Sequence, residues 1–417
     1  MFLSSLTIAQ LLAWILTALF LQALVAIGVA IWRRPRLMAD AESAAMAPAR
    51  AGSTAAWPAT REFRVTSRTH EDVALSQCSF RLQPVDGLPL PEFRPGQFLT
   101  FVLQIPGATS AAESGPVTRC YSLSDAPAAD HYRVSIKRVP PPAGRPDLAP
   151  GLSSSHFHDR VQVGDVLQVR APSGHFFIDR DAAMPAVLVA GGIGITPMMS
   201  MLRWCLDKQP ERSVHLYYGL RQGNEHAFKA QLEDLARTNP HFKLNVVYSR
   251  PAATDMQGRD FQHTGHVDIA LLQRTLPDGR QQFYICGPAA MMESLVPALA
   301  EWGVPDTDVH FEAFGPASVR RAATAPAAAP FEVALEVQFS RSGRTLTWDG
   351  RDANLLDFAE RHGVAVDSGC RAGSCGSCET RLLAGSVVYA ERPDHDVALG
   401  HCLPCVGRPT TALVLEA

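Results

Sequence analysis

The hydrophobic positions open as one block. Leu6 to Trp32 is a mostly apolar run of 27 residues, and the first 32 residues carry no charged side chain. About 20 apolar residues are enough for a helix to span hydrocarbon, so the pattern predicts a transmembrane anchor over 6–32, with Trp14 and Trp32 as interface residues. A cleaved signal peptide would start with positive charge and carry a shorter apolar core. Here no Lys or Arg precedes the run, and Arg33, Arg34 and Arg36 follow it at once. Positive flanks stay on the cytoplasmic side. The expectation is a single-pass protein in the lipid bilayer of the cytoplasmic (inner) membrane, with its later domains in the cytoplasm. Residues 33–60 are Ala-rich with no apolar periodicity, which reads as a flexible linker.

The pattern then turns to short alternating runs: Phe63–Arg68, Ala74–Leu82, Gln97–Leu103, Tyr132–Arg138 and Val166–Arg170. Turn residues such as Asp86-Gly87 and Arg94-Pro95-Gly96 separate them, so an antiparallel β-barrel is expected over 61–182. At Pro185 the character changes. Ala186–Ala190 is a continuous apolar run, echoed by Val214–Tyr218, Leu244–Tyr248 and Gln282–Cys286, with helical stretches between. Strands alternating with helices predict an α/β domain with a parallel sheet over 183–316. A second Ala/Pro-rich linker covers 317–330, and 331–417 forms an α+β unit. The chain is thus multidomain.

Composition narrows the function classes. A formal charge of −3 over 417 residues, with 19% charged, carries no nucleic-acid footprint, and no nucleic-acid partner is expected. Nine cysteines occur, five of them between Cys370 and Cys405. A secreted disulfide scaffold is shorter and spreads its cysteines, so the crowding points to a metal site.

Cys370, Cys375 and Cys378 have the spacing C-x4-C-x2-C, and Cys405 follows. This is the plant-type [2Fe–2S] signature. Four thiolates must converge there, with the loop backbone close enough to aim N–H groups at sulfur. Gly369, Gly373 and Gly376 allow that approach. Cys402-Leu403-Pro404-Cys405 supplies a second C-x2-C hook, so counting alone also allows a zinc knuckle. The extra Cys370 and the glycines fit iron–sulfur better. Cys402 competes with Cys405 for the fourth place. The run Cys405-Val406-Gly407-Arg408-Pro409 is similar to the last-ligand segment of plant-type ferredoxins. That favours Cys405 and leaves Cys402 to packing.

Three further motifs stand in order: Arg119-Cys120-Tyr121-Ser122-Leu123-Ser124 in a barrel strand, Gly151-Leu152-Ser153-Ser154-Ser155 before a helical stretch His156–Val161, and Gly191-Gly192-Ile193-Gly194-Ile195-Thr196-Pro197 between the first buried strand and its helix. Cys286-Gly287-Pro288 and Glu312-Ala313-Phe314 follow. Each alone is an ordinary strand, cap or turn. Together they resemble the ferredoxin–NADP reductase superfamily, and from about Arg61 onward the chain looks like an oxygenase reductase of the phthalate dioxygenase reductase type.

The resemblance implies a flavin barrel, an NAD(P) domain and a β-grasp-like ferredoxin domain. It also implies an NAD(P)H-dependent oxidoreductase that moves electrons from NADH or NADPH through flavin to the cluster. In it Arg119 meets the flavin phosphate, Tyr121 stacks on the ring, and Ser122 faces flavin N5. Gly151, Leu152, Ser153 and Ser154 hold a pyrophosphate. Gly192, Gly194, Thr196, Pro197, Cys286, Gly287 and Pro288 serve the nucleotide, with Cys286 beside the nicotinamide. Glu312 and Phe314 lie near the flavin edge. Cys120 would point the opposite way, into the core. The flavin motifs look closer to FAD-using flavohaemoglobin reductase domains, so FAD is expected, with FMN the alternative. Ser249-Arg250 offers a partner for a 2′-phosphate and equally reads as an exposed loop.

The anchor departs from the soluble phthalate pattern. It suits a membrane-embedded oxygen-activating acceptor, such as a desaturase or hydroxylase, because tethering raises effective concentration only in the same plane. A soluble Rieske-type aromatic-ring oxygenase, or a quinone or ferric reductase role, is the alternative.

Overall fold

In the computed structural model, residues 56–417 are described except 58, 107–116, 142–143, 181–183, 314–333, 372, 374, 391–392, 394 and 396. The predicted anchor 6–32, nearly all of the first linker, Phe314 and the linker 317–330 lie outside the described residues. Among the described residues no helix is long and apolar enough to cross a membrane.

Six antiparallel strands come first: β1 (Arg61–His70), β2 (Gln77–Pro84), β3 (Phe98–Leu103), β4 (Val117–Ser122), β5 (Tyr132–Lys137) and β6 (Val166–Ser173). Their order is β4-β3-β6-β1-β2-β5, and an antiparallel bridge from Leu123 to Val134 brings the β4 and β5 edges together. Alternation drives the closure. Phe63, Val65, Phe80, Leu82, Leu99, Phe101 and Val169 fill the interior and are almost wholly buried. The second strand starts at Gln77 rather than the expected Ala74, because Leu75 takes φ +54°, a left-handed turn conformation outside the strand region. Helix α1 (Leu152–Asp159) begins four residues before the expected His156, since Gly151 ends the preceding extended chain and Ser154 Oγ bonds back to Gly151 O at 2.9 Å.

The next sheet is parallel throughout: β7 (Ala186–Gly191), β8 (Val214–Leu220), β9 (Phe242–Tyr248), β10 (His263–Thr264), β11 (Gln282–Gly287) and β12 (Val309–Ala313), in the order β10-β9-β8-β7-β11-β12. Helices α2 (Ile195–Lys208), α3 (Lys229–Thr238), α4 (Ile269–Thr275) and α5 (Ala289–Glu301) cover it. Every residue of β7 and β11 is buried, which explains their mostly apolar character, and Gln282 at the start of β11 accepts from Arg212 Nη2 at 2.9 Å. Separate hydrophobic clusters form on the two faces, one around Met198, Leu202 and Tyr218, the other around Val189, Ile285 and Leu295.

The last unit pairs β13 (Leu335–Phe339) with β14 (Arg344–Trp348), then runs through α6 (Leu355–Arg361), β15 (Thr380–Ala384), β16 (Val387–Tyr389), β17 (His401–Cys402), β18 (Gly407–Pro409) and β19 (Leu413–Leu415). Its main sheet has the order β14-β13-β19-β15-β17, with β13 and β19 parallel and the rest antiparallel. Phe358 of α6 packs on Phe339 and Trp348 in its core, and Asn354 caps α6 by accepting from Asp357 N at 2.8 Å. A mixed sheet crossed by one helix is the expected β-grasp-like arrangement.

Candidate functional site

The order of the parallel sheet reverses between β7 and β11, and such reversals leave a crevice at the strand ends. Both glycine turns lie there. A Cβ on Gly194 would stand 2.0 Å from Cys286 O, so only glycine lets the α2 start approach the β11 end. Thr196 Oγ1 donates to Ile193 O at 3.0 Å and tightens the turn, and Pro197 sits in the first turn of α2, where a missing N–H costs nothing. The free N–H groups of this turn suit a phosphate. Pro288 is the N-cap of α5, placing the Cys286-Gly287-Pro288 turn beside the Gly191–Gly194 turn.

Cys286 and Glu312 are register partners on β11 and β12. Burial pushes the Cys286 thiol well up. Glu312 Oε2 is enclosed with no hydrogen-bond partner among the described residues, and burial raises its carboxyl from the ordinary 4.5 to about 8. An enclosed carboxyl oxygen without a partner at a strand end suits a bound ligand that would complete its hydrogen bonding. It also sets a pH dependence. The folded chain keeps a proton there that the unfolded chain loses above about pH 4.5, so this contribution to stability is full at low pH and declines as pH rises towards 8. Glu312→Gln is expected to nearly match the parent's thermal midpoint at pH 5 and to exceed it by several degrees at pH 8, without added nucleotide. A gap that stays constant across that range would remove the buried acid as the cause.

On the barrel, Tyr121 packs edge-on against Phe101 and Phe157, and its OH lies 2.9 Å from Ser153 Oγ. Ser122 is buried and Arg119 is exposed, its Nη1 donating to Thr118 O at 2.7 Å. Ser153 is engaged with Tyr121, and Ser154 both donates to Gly151 O and accepts from Val139 N at 3.1 Å. Their hydroxyls serve the fold, which leaves the backbone N–H groups of the first α1 turn as the donors open to an anion. Ser155 Oγ, buried with no partner among the described residues, is the hydroxyl that the motif pattern did not single out.

Asp125 ties barrel to nucleotide domain. It is buried, with Arg203 of α2 at 2.7 Å and Arg133 of β5 at 3.6 Å.

The four candidate ligand cysteines meet two by two. Cys370 N lies 3.2 Å from Cys375 Sγ and Cys375 N lies 3.3 Å from Cys370 Sγ, while Cys378 Sγ is 3.1 Å from Cys405 Sγ. Among the described residues no group of three or more such side chains is gathered to hold a single metal ion. Thiols in two facing pairs fit a two-iron cluster, with two sulfurs for each iron. Backbone donors to sulfur include Ser377 N, 3.5 Å from Cys375 Sγ, and a Cβ on Gly369 would stand 2.9 Å from that same sulfur. The close backbone approach expected of the loop is present. Hydrogen bonding to Cys378 pulls Cys405 down and pushes Cys378 up, as two thiols sharing one proton should behave. Cys402 instead packs with Trp348 and Phe358, and burial raises its thiol to about 12.

Cys120 corrects an expectation. It does point away from the Tyr121 side, but onto the outer face of the barrel, where the cluster loop covers it. It is half-buried and outside the barrel core.

Comparison with known proteins agrees with this division. A family model described as an oxidoreductase NAD-binding domain matches residues 188–296, and one described as a 2Fe-2S iron-sulfur cluster binding domain matches residues 337–410. The chain is 38% identical over 267 residues to a flavohemoprotein of Rhizobium meliloti, covering 64% of this chain and 62% of that protein. It therefore spans less than two thirds of the length of that relative. The flavohem-like FAD/NAD binding domain of nitric oxide dioxygenase from Vibrio cholerae is 32% identical with a TM-score of 0.53, over 62% of this chain and 100% of that domain. Phthalate dioxygenase reductase, a modular structure for electron transfer from pyridine nucleotides to [2Fe-2S], aligns over 86% of this chain and 98% of its own, at 28% identity and a TM-score of 0.50. With a flavohaemoprotein-like reductase portion running into a [2Fe–2S] domain, the chain belongs to the phthalate dioxygenase reductase type of the ferredoxin–NADP reductase superfamily and is an NAD(P)H-dependent oxidoreductase using FAD and a [2Fe–2S] cluster.

Proposed function

We infer that the chain carries electrons from NAD(P)H through FAD to its own cluster and on to an oxygen-activating enzyme in the same membrane. The observation that supports this most is the seat of the cluster loop on the flavin barrel: Arg170 Nη1 of β6 donates to Cys375 O at 2.8 Å. When bound, the nicotinamide would supply a hydride, two electrons with a proton, which a flavin could take as a pair and hand on singly to a one-electron cluster.

The protein's part is binding and alignment. Gly192, Gly194, Thr196 and Pro197 present the α2 N-terminus to the nucleotide phosphates. Gly287 and Pro288 shape the facing turn, and Cys286 with Glu312 lines the nicotinamide end. Arg119 and the α1 start take the flavin phosphates, a charge-assisted contact that a guanidinium makes well. Tyr121 and Ser122 bound the ring. Cys370, Cys375, Cys378 and Cys405 hold the irons. Arg250 is exposed just past β9, with its N–H on Arg221 O at 2.8 Å, where a 2′-phosphate of NADPH would be reached.

The membrane acceptor rests on the apolar run 6–32 and its basic flank. A tether of this kind confines the reductase to the bilayer surface, which helps delivery only to a partner embedded there. Deleting residues 1–37 is expected to leave NAD(P)H-driven reduction of ferricyanide or cytochrome c unchanged. Delivery to a membrane di-iron desaturase or hydroxylase from the same cells should fall at least tenfold. Equal delivery with and without these residues would favour a soluble acceptor, such as the dioxygenase served by the phthalate enzyme.

A further inference from the structure

Helix α2 carries the Gly191–Gly194 turn at its start and an arginine two turns further on. Arg203 stands seven residues after Thr196, about 10 Å along a rigid helix. Its Nε lies 2.7 Å from Oδ1 of Asp125, which follows Ser122 by three residues just past the end of β4. One ion pair thus joins the flavin strand of the barrel to the helix whose N-terminus serves the nucleotide phosphates. The pair is built into the fold. The Asp125 side chain is 10% exposed, Oδ1 also accepts from Ala126 N at 2.9 Å, and Oδ2 faces Arg133 Nε at 3.6 Å. Arg133 is buried and donates from Nε to Ser124 Oγ at 3.2 Å, so it stays with the barrel. Without Arg203 it would still neutralise Asp125.

A second contact holds α2 to the same stretch. Gly96 has φ +112°, and a Cβ there would stand 2.5 Å from Met201 Cε and 2.4 Å from Phe176 O, so its turn presses directly on α2. Gln97 O, next in that turn, accepts from Leu123 N at 2.9 Å. Leu123 and Asp125 are therefore tied to Met201 and Arg203. Further contacts join the domains elsewhere: Ala74 N donates to Asn224 O at 2.9 Å and Phe228 N to Glu71 O at 3.2 Å. Loss of the ion pair should tilt α2 and leave the domains joined. Donor and acceptor rings are held by different domains, so a small tilt is felt in their alignment. A misplacement of about 1 Å costs on the order of a hundredfold in rate.

We propose that Arg203 is a positioning residue: its ion pair with Asp125 sets the angle of α2 to β4, and with it the distance over which the nicotinamide passes its hydride to the flavin. NAD(P)H is oxidised to NAD(P)⁺, the flavin gains the hydride with both its electrons, and Arg203 itself neither gives nor takes a proton. This rests on the α2 start being the nucleotide seat and β4 the flavin seat.

The test is anaerobic stopped-flow reduction of the full chain by NAD(P)H. It is read at the flavin band and at the long-wavelength charge-transfer band that forms when the nicotinamide lies over the ring. Arg203→Met, which keeps the apolar stem and removes the guanidinium, is expected to retain its flavin and to bind NAD(P)⁺ with the parent's affinity. Its charge-transfer band should weaken, and its limiting rate of flavin reduction should fall about ten- to a hundredfold. Arg203→Lys, which restores a cation, should regain most of both. An unchanged limiting rate and band in Arg203→Met overturns the proposal. So does a rate restored by saturating nucleotide, which would make Arg203 a binding residue. Loss of the flavin also overturns it, since the pair would then support the barrel alone. A parent chain whose flavin NAD(P)H does not bleach would instead refute the cofactor seats on which the proposal rests.

Discussion

Replacing Cys405 with serine is expected to abolish the visible iron–sulfur absorbance and the paramagnetic signal of the reduced chain, while Cys402→Ser keeps both. The two cysteines are three residues apart and both almost wholly buried, so burial does not separate them. Partners do. Cys405 Sγ faces Cys378 Sγ at 3.1 Å, whereas Cys402 lies on β17 among Phe339, Trp348, Phe358 and Leu413. An oxygen at position 405 changes one of four iron donors from soft to hard. At position 402 it costs about 1–3 kcal/mol for a hydroxyl placed in an apolar core, which should appear as a lower thermal midpoint with the cluster intact. Bleaching of the flavin by NAD(P)H should survive in both variants. The reverse pattern of cluster loss would move the fourth ligand to Cys402.

Gly194→Ala should be the most damaging single methyl group in the nucleotide domain. Its Cβ would fall 2.0 Å from Cys286 O and 2.5 Å from the carbonyl carbon, both backbone atoms that no side-chain rotation can clear. Either the α2 start or the β11 end must shift, and overpacking of this kind costs about 1–3 kcal/mol or more. The turns that flank the crevice would part, so NAD(P)H should no longer bleach the flavin at a measurable rate. The thermal midpoint should fall by about 5–10 °C. Bound flavin and the cluster, which belong to other domains, should remain visible in the spectrum. Normal bleaching kinetics would show that the turn is slack.

What could be read in advance follows the range of the forces involved. Strand periodicity is local, and β3, β5, β7 and β11 lie within a residue or two of where alternation or apolar runs put them. Cysteine spacing and the glycine turns are short motifs whose geometry is nearly self-contained. The serines after Gly151 were harder, because a hydroxyl can serve a ligand or the fold, and the choice at Ser153 is made by Tyr121, 32 residues earlier. Cys120 was harder still. Its alternation with Tyr121 was legible, but what covers the opposite face is Cys375, from a domain more than 250 residues further on. Ser155 and Glu312 show the same limit, since an orphaned buried oxygen exists only once the chain around it has packed.

The seven residues from Arg119 to Asp125 touch all three domains. Cys120 meets the ferredoxin loop, Tyr121 the barrel interior, and Asp125 the Arg203 guanidinium of the nucleotide domain. Because faces alternate along a strand, a single inserted or deleted residue there would exchange every one of these assignments at once. Cys120 would turn towards Phe101 and Phe157, Tyr121 would be thrust against the cluster loop, and the acid would miss its arginine. A side-chain exchange in this stretch disturbs one of these contacts at a time. A change of length disturbs them together, and the segment acts as the common ruler from which the distances between the three modules are set.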